Sequence, residues 1–391
     1  MKLMHRRTSF RLVGLFSSAL AGCGPAARPA VATTSPAACA PAPAGLAPLV
    51  APRAFTIFGD LHGSGEIPAF VGLAACHAAA GGGEVVVGLE IEGRFQADVD
   101  AYLASDGGDA ARAALLAGEH WTSQDGRASR AMLALIERAR QLRQAGGRVR
   151  VFLFDGVYAD GETRDRGMAA AIAAVVKASP DATVLILTGN LHARIDNERW
   201  MAGQLVKAFP QLHSLDVAHA PGEVFGCSPD GCGVAKVKGA VLGPASFVEL
   251  GPEARGYGGR FYVGALTASP PATWPPGRPM PAQPVSLRVQ AAEAYGRKDF
   301  AGCARLFIAS AARAGSGGAS AQFAADDLYG AACCQALAGQ TDDAFASLGK
   351  AIEAGFHDAA HMRQDSDLAS LHGDARWPAT VQAAEARAAK P

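Results

Sequence analysis

The 391-residue chain carries 36 lysines and arginines against 36 aspartates and glutamates, so its formal net charge at pH 7 is zero. That balance gives no electrostatic footprint for nucleic acid or for an anionic membrane surface. With 49% hydrophobic and 18% charged residues, most of the chain is ordinary globular material, long enough for about two domains.

The first segment is an export signal. Lys2, His5, Arg6, Arg7 and Arg11 make the start positive, and a short apolar stretch runs from Leu12 to Leu20. Such a run is too short to span a bilayer, which takes about 20 apolar residues. It ends in Leu20-Ala21-Gly22-Cys23, which resembles the bacterial lipobox. Residues 1–22 are therefore expected to be removed, and Cys23 to be acylated, with palmitate or a similar chain, as the mature N-terminus. Residues 23–53, rich in Ala, Pro, Thr and Ser, read as a disordered tether, with Cys39 lacking an obvious local partner. The implied address is the cell envelope, with the membrane as a partner through Cys23.

Residues 54–267 alternate strand and helix signals. Phe55–Phe58, Val85–Leu89, Val149–Phe154 and Thr183–Leu187 are short and almost continuously apolar, as strands buried on both faces are. Met132, Leu135, Ile136, Ala139 and Leu142 share one helical face, and Gly146-Gly147 stops that helix. Met168, Ile172, Val175 and Val176 mark a further helix that ends near Pro180. The alternation predicts an α/β fold with a mostly parallel sheet flanked by helices. Ser214–Ala218, Ser246–Leu250 and Phe261–Gly264 add strands, one of them a candidate antiparallel edge. Cys227 and Cys232 flank a Ser-Pro-Asp-Gly turn and read as a disulfide-closed loop; a metal pair is the weaker alternative, since no second pair matches it.

Each of four predicted strands ends in titratable groups. The first runs into Asp60, His62 and Glu66, the second into Glu90 and Glu92, the third into Asp155, and the fourth into Asn190 and His192. Ligands of open α/β sheets bind outside the carboxyl ends of parallel strands. Parallel strands would therefore bring His62, His192, Glu90 or Glu92, and Asp155 to one edge. Such a set supports proton transfer by a histidine oriented by carboxylates. Two histidines and a carboxylate also match a metal site with an open position, and structural histidines are the competing reading. Ser64 lies outside any Gly-x-Ser-x-Gly elbow and reads as a loop or cap residue before a nucleophile.

Residues 268–284 are proline-dense and aperiodic, the pattern of a semi-rigid linker. Beyond it, Ala291, Ala294, Tyr295, Phe300, Ala304 and Phe307 repeat in register with Leu328, Ala331, Ala332, Gly339, Ala344, Leu348 and Ala351. Residues 285–391 thus resemble tetratricopeptide repeats, though without that family's full Trp-Leu-Gly-Tyr pattern, and such an all-α module implies a protein partner; an irregular helical cap is the alternative reading.

Taken together, Gly59-Asp60-Leu61-His62-Gly63 with Glu66, Leu89-Glu90, and Gly189-Asn190-Leu191-His192 resemble the erythromycin-esterase/ChaN-like/TraB–Tiki superfamily over residues 54–218. The resemblance implies an α/β core and one of three activities: ester hydrolysis by a histidine base, metal-dependent peptide hydrolysis, or haem or iron binding without turnover. It makes His62 the base or a ligand, Glu90 the central acid and His192 the second histidine. Any cofactor would be a divalent metal on His62, Glu90 and His192, or haem, for which Tyr257 and Tyr262 are candidate ligands. Asp60 stands where esterase-like members usually carry Glu, which shortens that carboxylate's reach. Glu66, Glu92, Asp155, Arg164 and Asp165 are supporting candidates. Arg164-Asp165 also opens a helix, where the dipole alone favours an acid. The region of Glu119-His120-Trp121 is where the resemblance places substrate contacts.

Overall fold

The computed structural model describes residues 39–388 apart from 159, 229, 254–255 and 314–317. The expected export signal and Cys23 lie outside the described residues. In chain order the α/β region comprises α1 (Ala47–Val50), β1 (Phe55–Asp60), α2 (Glu66–Ala80), β2 (Glu84–Glu92), α3 (Gln96–Ala104), α4 (Asp109–Leu116), α5 (Arg130–Gln144), β3 (Arg148–Asp155), α6 (Gly161–Ala178), β4 (Thr183–Gly189), α7 (Met201–Ala208) and β5 (His213–Ala220). A hairpin, β6 (Gly222–Ser228) and β7 (Gly231–Val237), and an edge pair, β8 (Phe247–Glu253) and β9 (Tyr257–Ala265), complete it.

The main sheet has seven strands in the order β3-β2-β4-β1-β5-β9-β8. All pairs are parallel except β8 with β9, so the antiparallel edge expected from sequence is present. The apolar strands sort their alternate residues to two faces. Phe58, Val87, Leu89, Leu185 and Leu187 join one core with Ile67 and Val71 of α2 and with Leu135 and Ile136 of α5. Phe55, Ile57, Val86, Val184 and Ile186 join the other with Met168 and Ile172 of α6 and with Met201 and Leu205 of α7. Burial on both faces is why these strands read as unbroken apolar runs rather than alternating ones. Ser129 caps α5 by accepting from Met132 N; at its end Gly147 N bonds Leu142 O, as the Gly146-Gly147 stop predicts.

Residues 39–53 depart from the expected tether. Leu46 and Leu49 are buried, Val248 N donates to Ala44 O, and Cys39 is bridged to Cys76 of α2. Two leucines and one cysteine in an otherwise Ala/Pro-rich stretch were enough to fasten it. Cys227 and Cys232 are bridged and directly opposite across β6 and β7, as expected.

The C-terminal region contains α8 (Leu287–Gly296), α9 (Phe300–Arg313), α10 (Gly318–Leu337), α11 (Thr341–Ala354), α12 (Ala359–Gln364) and α13 (Trp377–Ala388). Its own core includes Ala332, Ala344, Leu348 and Ala351, the small and apolar positions of the repeat pattern. A third disulfide, Cys303–Cys334, ties α9 to α10. The proline-dense segment before α8 is not a free linker. Its carbonyls and intervening amides pair with α5 and the hairpin, because proline removes a donor but leaves every acceptor in place. No helix among the described residues is long and apolar enough to cross a membrane.

Candidate active site

The carboxyl ends of β1 to β4 are aligned by register: Asp60 lies opposite Gly189, and Glu92 lies opposite Asp155. A register shift on β2 between Leu89 and Glu92 re-aims the strand there. Bulges of this kind recur beside functional sites because they redirect a side chain. Glu90, 3% exposed, points to the face opposite Leu89 and Ile91, which stay in the core.

Glu90 organises the centre. Its Oε2 accepts from Thr188 Oγ1 at 2.8 Å and from Gly189 N at 2.6 Å. Its Oε1 accepts from Arg164 Nη2 at 2.6 Å and Arg127 Nη1 at 3.3 Å. Burial alone would raise its pKa, but His62, His192 and Arg164 outweigh that and hold the carboxyl well below its ordinary value. Asp155 shares both arginines: Arg164 donates to it from Nε at 3.0 Å and Nη2 at 2.6 Å, and Arg127 from Nη1 at 3.2 Å. The two-pronged Arg164 contact is the fork geometry that only arginine supplies.

The two histidines sit in different company. His62 donates from Nδ1 to Asp60 Oδ2 at 2.8 Å, and its Nε2 lies 3.7 Å from Glu90 Oε2. Burial opposes a charge on His62, yet Glu90 and Asp60 prevail and push its pKa up to about 10. His192 meets Arg164 Nη1 at Nε2, 3.0 Å away, and Asp165 Oδ1 at Nδ1, 2.8 Å away. Arginine can only donate, so Nε2 is the acceptor and Nδ1–H points at Asp165. Asp165 is itself fixed by Met201 N at the start of α7. Gly189 separates the two imidazoles. A methyl group placed on it would stand 3.2 Å from His62 Nε2, 3.5 Å from Glu90 Oε2 and 3.5 Å from His192 Cδ2. The absence of a side chain there leaves one small space faced by both rings and the acid.

Beside this centre opens a cleft of ≈ 520 Å³, lined by Glu90, Asp155, Arg127 and Arg164 at its base and by Glu92, Arg94, Phe95, Glu119, His120 and Asp125 toward its mouth. Burial holds His120 below the ordinary histidine pKa. Glu92 pairs with Arg94 at 2.6 Å on the rim, outside the centre. Glu66 is not in the site: its Oε2 accepts from Thr267 N at 2.8 Å, and its place at the start of α2 suits a carboxylate. Ser64 is fully buried and caps nothing, the N-cap of α2 being Gly65. Asp165, which the helix dipole alone could explain, belongs to the centre, as does Arg164.

The donor set does not fit the expected metal. Both oxygens of Glu90 and both nitrogens of His192 are engaged by hydrogen-bond partners, two of them arginines. Among the described residues the single trio of ligand atoms within 4.8 Å of one another is Cys333, Asp365 and Asp367, in the helical region. Nor do the tyrosines suit haem: Tyr257 donates to Asn190 O, and Tyr262 is buried and stacked on Phe247.

Arg127, Asp125 and Thr188 are the participants that sequence reasoning passed over. Thr188 is inside the motif of the fourth strand. Arg127 follows an Asp-Gly turn in which Gly126 adopts φ +91° and lies against His62, where a β-carbon would collide with His62 backbone at 2.6 Å. That glycine, next to paired charges in an otherwise featureless loop, was the available signal.

No family model and no curated protein matches the chain. Among solved structures it is similar to an erythromycin esterase variant in its open conformation, with a TM-score of 0.44 and 12% identity over 56% of this chain and 92% of that one. A protein from Bacillus cereus gives 0.38 and 9% over 57% and 91%, and the type III effector HopBA1 gives 0.34 and 13% over 54% and 87%.

Proposed function

We propose that the chain is a metal-independent hydrolase of ester or amide bonds, held at the bacterial envelope by acylated Cys23. One observation carries the hydrolase reading: His62 Nε2, Glu90 Oε2 and His192 face the same space above Gly189, next to a polar cleft. In its neutral form His62 takes a proton from water at Nε2, while Asp60 holds the ring through Nδ1–H. The hydroxide so formed attacks the carbonyl carbon. The oxyanion that develops meets the guanidinium groups of Arg127 and Arg164, donors already fixed in the cleft wall. His62 then returns its proton to the departing alcohol or amine, so that water is consumed and acid and alcohol (or amine) are released. His192 serves by holding Arg164, in place of the metal contact expected for it from sequence.

The envelope address rests on the export signal and the lipobox, and three disulfide pairs are in keeping with an oxidising compartment. The helical region is read as a tetratricopeptide-like docking module for a protein partner. A panel of chromogenic acyl esters and peptide amides tests the hydrolase reading. Cleavage is expected, reduced on the order of 10²-fold or more in His62→Ala with the fold intact. A wild-type protein that cleaves neither class, or a His62→Ala variant as fast as wild type, removes the reading.

A further inference from the structure

His62 and Arg127 reach the site from separate loops, each tied to strand ends by side-chain bonds. The main chain of both loops is also held by one shared stretch, Thr267 to Ala272, at the start of the proline-dense segment. On one side Gly65 N donates to Thr267 O at 2.9 Å, and Ser269 N donates to Gly63 O at 2.7 Å. Ser64 and Ala268 form the bridge between these two bonds. On the other side Arg130 N donates to Pro270 O and Ala272 N to Ala128 O, each at 2.8 Å. Ser269 is the residue common to both sides. Its amide holds the turn that follows His62, and its Oγ accepts from Ala131 N at 2.9 Å, in the first turn of the helix that follows Arg127. It is 6% exposed, so neither bond is replaced by solvent at no cost.

Given the hydrolase reading above, on which this inference rests, we infer that Ser269 is a positioning residue for the reaction, setting the spacing between His62 and the Arg127 guanidinium. The Ser269 amide is main chain and survives substitution; the Oγ contact does not. Losing it leaves Ala131 N without that acceptor and loosens the first turn of α5, which the Arg130–Pro270 and Ala272–Ala128 bonds still hold, so that Arg127 can shift against His62. Misplacement of a charge-stabilising group by a fraction of an ångström to an ångström lowers the rate at saturating substrate more than it lowers affinity. Arg127 also donates to Glu90, the acid facing His62, so its retreat takes a cation away from that pair. The titration of His62 then moves to higher pH.

The test uses the full-length protein. Ser269→Ala is expected to lower kcat about 10-fold with KM changed less than about 2-fold, and to move both the kinetic pH profile and the His62 imidazole resonance, followed by NMR, to higher pH. Ser269→Thr keeps the acceptor and should restore all three. Ser269→Cys, which keeps the volume but offers a weak acceptor, should behave as Ala does and serves if the alanine variant does not fold. A folded Ala or Cys variant whose pH profile and His62 titration superimpose on wild type overturns the inference, even if it melts at a lower temperature. The NMR titration needs no substrate, so a wild-type protein without hydrolase activity would end the reading above while leaving the spacing role of Ser269 measurable.

Discussion

Between Asp60 and Glu90 the imidazole of His62 keeps its proton up to about 10. As a general base it is then a minority species at neutral pH, and kcat/KM should climb about ten-fold per pH unit until it levels near that value. A pH–rate series decides this, and a bell centred near neutrality would assign the base elsewhere. Stability moves the other way. The folded pKa lies above the ordinary 6.5, so the His62 contribution is complete below about 6.5 and is lost as pH rises toward 10. The difference in urea midpoint between wild type and His62→Gln should therefore shrink over that interval. Arg164→Lys should lower kcat by roughly 10²-fold, since an ammonium cannot hold Asp155 with two prongs while also reaching Glu90 and His192; circular dichroism separates this from unfolding. His62, Glu90, Asp155 and His192 were legible because each closes an apolar run at a strand end. Arg127 was not, since only the closure of the fold brings its loop onto His62. Asp165 was visible, but the helix dipole alone accounts for an acid there, and a sequence does not show which turn of α6 faces the sheet.

The strands and α5 follow from periodicity and capping, local properties that a linear sequence carries. Sheet order does not, because β4 is inserted between β2 and β1 by contacts remote in sequence. The fate of the two segments judged featureless, residues 39–53 and 268–284, was equally hidden. Each is held by a few specific bonds rather than by composition, and bonds to distant partners leave no periodic trace. For the first segment the prediction is thermodynamic. The Cys39–Cys76 bridge closes a loop of 37 residues in sequence separation. Replacing both cysteines by alanine should remove about 3–4 kcal/mol on the chain-entropy account, read as a fall in denaturant midpoint at constant slope.

On the scale of the whole molecule, the helical region is bonded to the α/β region through the hairpin. Asp230, near the hairpin turn, accepts from Leu287 N at 3.0 Å and from Arg313 Nη1 at 2.5 Å. Midway along β6, Phe225 N donates to the same Gly63 O that Ser269 holds. Arg313→Ala should therefore raise amide exchange in Gly231–Val237 as well as in α8, measured by hydrogen–deuterium exchange; protection unchanged in the hairpin would show the two regions to be mechanically independent. Envelope anchoring is checked by mass: the protein recovered from membranes should begin at Cys23 with acyl chains attached, and Cys23→Ser should abolish both. The bridge from Cys39 to α2 has a bearing on how a tethered protein meets load. Tension arriving along the chain from the N-terminal side enters at Cys39 and crosses the sulfur–sulfur bond straight into the body of a helix. The residues between the two cysteines, β1 and the His62 loop among them, are then bypassed by the force path, so tension on the attachment proposed at Cys23 would not peel the strand that carries the site.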